Sequence, residues 1–462
     1  MSSILKSIFY KTNEGTTERL VQLSVGYFFL YVITGFLAKY FDRVLGVSSI
    51  QYTFYNTIGG MFICNFVVLL WGWYKFKSST YIKFLGISMP KEFLYIIPSG
   101  ICTAIIIPTT TLMYTLPISV MVAMIIMRAS VIIISRFIDE AQIRQGILKK
   151  KVYWEENIAV VFALLAVSLK FFYVKPGDFD FIHNVAAVTI LTFYLSAYTI
   201  RIYIMNYYKN TRPKGAVYDT KGFFAIEQIS STLFICLVGF MFFKYINKPI
   251  TDIYNPVTKT EIKVDTIEKQ NLLDTINKAE AVLSENLNNI PSSDREKLKT
   301  SLALSVEMLK AKKANIDEIN KAEKELQKNL KVAMNSFSYQ YRDSIANPTD
   351  KWFSTIISGL PFGLAAFFSV FLFMFKGRTA TFAGLVNRIT SLIAGTFATL
   401  ITFLLIKGQK PPQGEDWFSL ILLFVAIYFI AKAEKKRACE LMKENEIEFN
   451  KNSELNKDCK IN

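Results

Sequence analysis

Two arginines stand inside apolar runs with no acid beside them to neutralise their charge: Arg128 in Met-Ile-Ile-Met-Arg-Ala-Ser-Val-Ile-Ile-Ile, and Arg388 in Gly-Leu-Val-Asn-Arg-Ile-Thr-Ser-Leu-Ile. A guanidinium carries five N–H donors in a planar fork that matches phosphate or carboxylate oxygens two at a time. At the centre of a membrane-spanning helix each such group costs about 2.5–3.5 kcal/mol on insertion scales, so it has to line water, pair with an acid or meet a ligand. No Asp or Glu is expected at comparable depth in any span. The chemistry expected of the pair is therefore the gripping of an anion between two cationic arms.

Other side chains extend this constellation. Asn387 adjoins Arg388 and offers an amide, while Ser130, Thr390 and Ser391 lie within a turn of the arginines, although small hydroxyls in spans serve packing more often than binding. Tyr27 and Tyr31, and again Tyr194 and Tyr198, recur at i and i+4, so each pair shares one helical face. Such rings can stack on a base or sugar, or serve as interface aromatics that need no ligand. Arg201 and Glu227 fall near the cytoplasmic ends of the sixth and seventh spans and are expected to form an ion pair that closes that side, with proton coupling through Glu227 as the alternative. The single histidine, His183, is expected at the outer mouth of the sixth span, facing headgroups or water, and no metal is assigned to it. The five cysteines show no paired spacing for a disulfide framework or a zinc site. No Walker loop, nucleophile elbow, HExxH or dinucleotide-binding glycine pattern occurs, so neither an enzyme activity nor a cofactor is expected.

The elements that position these residues follow from composition. The chain has 462 residues, 52% hydrophobic and 15% aromatic, with a mean hydropathy of +0.30. That excludes a disordered or fibrous protein and disfavours an ordinary soluble enzyme. A spanning helix needs about 20 apolar residues, and ten runs of that size occur, at 20–38, 51–74, 93–114, 117–137, 155–174, 183–207, 222–246, 352–375, 379–406 and 416–433. A tight turn at Tyr114 to Pro117 divides the third from the fourth. The loops alternate in charge: Lys75, Lys77, Lys83 and Lys91, then Arg144 and Lys149 to Lys151, then Lys209, Arg212, Lys214 and Lys221 fall on one side. The excess of Lys and Arg in cytoplasmic loops places that side, and both termini, in the cytoplasm. Lys435, Lys436 and Arg437 after the last span fit anionic lipid at the same surface.

Residues 251–350 break the pattern, with 15 Lys plus Arg against 16 Asp plus Glu. The remaining residues therefore carry 38 Lys plus Arg against 21 Asp plus Glu, a net of +17 that topology accounts for without a nucleic-acid partner. Within the insert three apolar stripes recur: Leu272 to Leu287, Leu298 to Leu309, and Ile319 to Ala333, the last capped by Asn315. They predict a three-helix bundle on the non-cytoplasmic side. The segments "LLDTINKAEAVL" and "KAEKELQKNLK" resemble the three-helix modules of bacterial surface proteins, which implies a protein or glycan partner for the insert and a cytoplasmic membrane, rather than an organelle membrane, as the location. An inert spacer is the alternative.

The two halves of the membrane part match at an offset of 260, where Met127-Arg128-Ala129-Ser130 aligns with Asn387-Arg388-Ile389-Thr390. Five spans followed by five reverse the entry side, giving an inverted repeat of the kind secondary transporters build around a midplane site. This arrangement, with "MIIMRASVIIISRF" in the fourth span, resembles the drug/metabolite transporter superfamily and within it the nucleotide-sugar-transporter-like solute carriers. Ile125, Ile126, Met127 and Ala129 depart from that family's pattern, and the insert is foreign to it. The resemblance implies spans 1 to 4 and 6 to 9 around a central cavity, with spans 5 and 10 bracing the halves and basic residues on spans 4 and 9 holding phosphate.

The fold expected is thus all-α and polytopic, with spans 1–7 in residues 1–250, the insert at 251–350, spans 8–10 in 351–434 and a charged cytoplasmic tail at 435–462. The function expected is alternating-access transport of a small organic anion, a nucleotide sugar or phosphorylated metabolite. Export of neutral or cationic solutes such as amino acids, or an envelope interaction carried by the insert, are the alternatives.

Overall fold

A computed structural model describes residues 12, 15–84, 86–115, 120–149, 151–169, 185–212, 218–246, 266–286, 292–311, 315–334, 337–407 and 411–458. The turn expected at Pro117 and the placement of His183 lie outside the described residues, as do the last residues of the fifth span. The membrane part comprises α1 (Thr17–Arg43), α2 (Ser49–Leu70), a two-stranded hairpin of β1 (Tyr81–Phe84) and β2 (Ile87–Pro90), α3 (Phe93–Thr115), α4 (Val120–Arg144), α5 (Trp154–Ser168), α6 (Val185–Asn210) and α7 (Thr220–Ile246). After the insert come α12 (Trp352–Phe373), α13 (Ala380–Leu405) and α14 (Gly414–Asp458). Each expected span overlaps one of these helices, and among the described residues eight helices, α1, α2, α3, α6, α7, α12, α13 and α14, are long and apolar enough to cross a membrane. The chain is thus an all-α, polytopic membrane protein. Among the described residues the one sheet is the antiparallel hairpin, an element not expected from the sequence, turned by Gly86 at φ +82°.

One compact unit holds 1–47, 55–234 and 353–462. Its apolar residues divide between a core and a rim: Val131, Ile132, Ile202, Phe223 and Leu385 are fully enclosed, while Phe29, Phe62, Leu69, Leu233, Leu404 and Phe424 stand more than half exposed. An apolar rim of this kind suits lipid, where helices gain nothing by hiding leucine and associate instead through close backbone contact. Small residues supply that contact. Gly59 and Gly60 on α2 meet Ile356 and Gly359 on α12 backbone to backbone, and a methyl on Gly100 of α3 would lie 2.6 Å from the Glu227 carbonyl of α7. Elsewhere α1 packs on α13, α3 on α6, α4 on α13, and α5 on α14.

At one end of this unit the helix termini are joined by buried polar groups. Asp139 near the end of α4 accepts the first amides of α13, Ala380 at 2.8 Å and Thr381 at 2.6 Å, doing from a neighbouring helix what a local N-cap does. Glu156 at the start of α5 accepts from Thr379 at 2.9 Å and Arg437 at 3.2 Å, and Glu434 of α14 pairs with Arg378. Lys436 pairs with Glu155. Of the three basic residues that follow the last expected span, Arg437 is buried against Glu156, whereas Lys435 and Lys436 are exposed, Lys436 beside Glu155.

The second compact unit holds 48–54 and 235–352. It contains α8 (Ile267–Asn286), α9 (Ser292–Lys310), α10 (Ile316–Met334) and the short α11 (Phe337–Ala346), a fourth helix beyond the three expected. The predicted stripes face each other in a single core from Leu272 to Ala333, although Ala322 stays outside it and Leu287 lies outside the described residues. Asn315 caps α10 as anticipated, with Glu318 reaching back to its amide at 3.4 Å.

At the base of the hairpin, Glu92 is buried between Ser78 and Arg212. Burial alone would raise its carboxyl, but the hydrogen bonds from Ser78 and Arg212 and the charge of Arg212 hold it below the ordinary carboxylate range. A carboxyl depressed in the folded state stabilises above its unfolded value near ~4.3, and that contribution is lost as pH falls through the depressed value. Glu92→Gln should therefore unfold at a lower temperature than the parent at pH 7, with the gap closing under strongly acidic conditions. Thermal unfolding in detergent across the pH range checks this, and a gap that widens on acidification contradicts it.

Candidate functional site

Arg128 is the ninth residue of α4 and Arg388 the ninth of α13. The two helices run antiparallel, held in register where Gly384 admits the Ser135 side chain. From that contact a rise of 1.5 Å per residue sets Arg128 about 10 Å and Arg388 about 6 Å further along their helices, both away from the end where Asp139 meets Ala380. Arg128 extends along α13 to Gly395, where a methyl would stand 3.8 Å from its terminal nitrogen. Both arginines act electrostatically on the buried hydroxyl of Tyr27 on α1, so the two arms converge on a shared neighbour.

Their polar surroundings are sparse. Arg388 lies 5.1 Å from the centre of the Tyr198 ring, and its Nε is buried without a hydrogen-bond partner. Among the described residues neither Arg128 nor Arg388 forms an ion pair, in contrast to Arg201, Arg212, Arg378 and Arg437. Tyr194 and Tyr198 of α6 join the group, their rings 4.8 Å apart, and Tyr27 and Tyr31 stand 5.5 Å apart on α1. Tyr27, Tyr194 and Tyr198 all fall within electrostatic range of Arg388. Six of the expected residues, the two arginines and four tyrosines, are thereby brought to α1, α4, α6 and α13.

The smaller polar residues are placed differently. The Asn387 amide donates to Ser369 on α12 at 2.9 Å, and the Ser391 hydroxyl donates to the Arg388 carbonyl of its own helix at 2.8 Å. Both belong to helix packing in this arrangement. Ser130 and Thr390 are half-buried on α4 and α13.

Arg201 and Glu227 form the expected pair, in bidentate geometry at 2.8 and 3.2 Å with both side chains buried. Glu227 also accepts from Ser99 at 2.7 Å and from Thr103 at 3.2 Å, so four donors from two neighbouring helices, α3 and α6, surround one carboxylate. Gly100 permits this by letting α3 approach the α7 backbone at Glu227. One expectation is corrected: Glu227, the eighth residue of α7, lies as deep from its helix start as Arg388 does on α13, so a carboxylate does reach that depth. It is consumed by Arg201. Tyr198 sits between the two systems, within electrostatic range of both Arg388 and Arg201.

Sequence reasoning missed Asp139, Glu156, Arg378 and Glu434, because charged residues at the ends of apolar runs read as solvated caps. Their buried partners lie far away in the chain, and no local spacing encodes them.

Among the described residues no cluster of His, Cys, Asp and Glu could hold a metal ion. Compared with known proteins, the chain matches no family model and no curated protein.

Removing one partner of a buried ion pair strands the other, at a cost of about 3–5 kcal/mol, whereas replacing both with apolar groups is often neutral. Glu227→Ala should therefore sharply lower the unfolding temperature, and the double variant Arg201→Met, Glu227→Leu should recover most of the loss. Unfolding of the purified variants in detergent provides the comparison; a single variant as stable as the parent runs against the assignment.

Proposed function

We propose that the chain is a secondary transporter that carries a small organic anion, such as a nucleotide sugar or another phosphorylated metabolite, by alternating access. The observation that carries this reading is that Arg128 and Arg388, at equivalent positions on the packed helices α4 and α13, form no ion pair among the described residues. Such groups are retained in hydrocarbon when a ligand or a water-filled path uses them. A phosphate or carboxylate placed between the two arms would accept in-plane donors from both and recover the energy of burying them. The tyrosines at 27, 31, 194 and 198 supply ring faces for the remainder of such a solute.

The proposal includes ten spans, α4 and α5 crossing with the eight more apolar helices, in two inverted halves of five. It is supported by the equivalent ninth-residue positions of the two arginines, by the antiparallel contact of α4 with α13, and by α5 packing on α14 as braces between the halves. Both termini then face the cytoplasm, where the buried charges that join the helix ends close that side, and the Arg201–Glu227 pair forms a second closure beside the site, joined to it through Tyr198. The four donors that hold Glu227 tie three helices together at this carboxylate, which supports gating over proton coupling for this residue. Membership of the drug/metabolite transporter superfamily accords with this architecture.

A second reading, in which the insert acts on a protein or glycan outside the membrane, draws on the observation that its helices build their own apolar core. Deleting 251–350 should spare transport under the first reading and abolish function under the second.

Loss of a hydrogen bond to a charged group is worth about 1.5–3 kcal/mol, or roughly 10- to 100-fold in affinity. Counterflow of phosphorylated metabolites in proteoliposomes should weaken by that factor in Arg128→Ala and in Arg388→Ala, with both variants still folded. Undiminished counterflow in either variant refutes the clamp.

A further inference from the structure

The stretch from Lys75 to Lys91 holds four lysines, at 75, 77, 83 and 91, and no Asp or Glu. All four are exposed, and among the described residues none is paired with a carboxylate, with Lys75 standing only over the Tyr74 ring at 5.9 Å. This differs from Arg212, Arg378, Lys436 and Arg437 in the same unit, each of which has an acid of its own.

The hairpin between these lysines is amphipathic. Its register pairs Ile82 with Met89 and Phe84 with Ile87, and residues paired across strands share a face, so one face is apolar in sequence throughout. Ile87 at the turn is 69% exposed, an unusual position for a β-branched aliphatic residue in water. The hairpin is also fixed in place: the Lys91 amide donates to the Thr80 carbonyl at 3.0 Å, Lys77 donates its amide to Asp219 at 3.0 Å, and Ser78 donates to Glu92. Just before it, α2 ends in exposed Leu69 and Leu70, followed by exposed Trp71 and Tyr74, the residue types that mark the boundary between hydrocarbon and headgroups. A rigid, basic, half-apolar ribbon is thus mounted at the level of the headgroups.

We infer that this hairpin is a binding surface for anionic phospholipid headgroups. Its apolar face, with Ile87 at the turn, enters the interfacial layer, and the four lysines bind lipid phosphates. The charge complementarity and the direct continuity with a membrane-crossing helix select lipid over an acidic protein segment. The assignment is independent of what the central arginines bind.

The test uses the full chain in nanodiscs of phosphatidylcholine alone or mixed equally with phosphatidylglycerol. Native mass spectrometry should show retained phosphatidylglycerol, and the emission that Ile87→Trp adds to the parent signal should be quenched by brominated phosphatidylglycerol. Replacing all four lysines by Gln should lower the preference for phosphatidylglycerol by at least about tenfold, since each basic residue near such a surface contributes a severalfold factor. The corresponding Arg replacements should preserve it and control for folding. Emission at position 87 untouched by brominated lipid, or retention of phosphatidylglycerol equal in the parent and the Gln variant, overturns the assignment.

Discussion

The desolvation of guanidinium groups governs this molecule. In water an arginine is nearly indifferent to its neighbours; inside a bundle of apolar helices it must find acceptors or remain a standing energetic debit. Arg201 meets that demand through Glu227, and Arg378 and Arg437 meet it through Glu434 and Glu156. Among the described residues Arg128 and Arg388 have no such carboxylate, and the Nε of Arg388 is buried without a hydrogen-bond partner. Tyr198 offers Arg388 a partial substitute, its ring attracting the cation and its hydroxyl accepting from it, but a single neutral oxygen does not engage the whole planar fork. The in-plane donors are what a phosphate or carboxylate would use.

Everything that positions these two groups passes through α13. Its first amides are held by Asp139 from α4, Gly384 lets the same helix settle beside Ser135, and Gly35 on α1 brings that helix against Ala398. Close approach of this kind fixes the distance between the arginine-bearing helices without relying on a hydrophobic driving force that lipid cannot supply. The alternating access proposed above would require the same helices to hold a second arrangement, and buried polar contacts at one end are suited to that, being strong when complete and costly when half-broken.

The sequence made some of this legible and hid the rest for definite reasons. Spans were readable because hydrocarbon thickness sets a length that few other constraints imitate. The insert's stripes were readable because a small bundle has one core and a 3.6-residue period, and its Asn315 cap follows from chemistry three residues long. Arg128, Arg388 and the tyrosine pairs stood out because charge in an apolar run is rare and i, i+4 spacing is local. Asn387 and Ser391 were drawn in by adjacency, whereas rotation of α13 turns Asn387 to Ser369 on α12. The end contacts of Asp139, Glu156 and Glu434 join residues separated by more than 50 positions, and nothing in a linear pattern distinguishes a carboxylate facing water from one capping a distant helix. The hairpin at 81–90 was hidden for a related reason, since two four-residue strands carry too short an alternation to separate from a basic loop.

The most direct measurement is a density map of the protein in lipid nanodiscs with a nucleoside diphosphate present at saturating concentration. The account predicts phosphate density bridging the guanidiniums of Arg128 and Arg388, with the remainder of the molecule against Tyr198 or Tyr27. Density absent from that position, or either arginine turned outward to lipid, would contradict it.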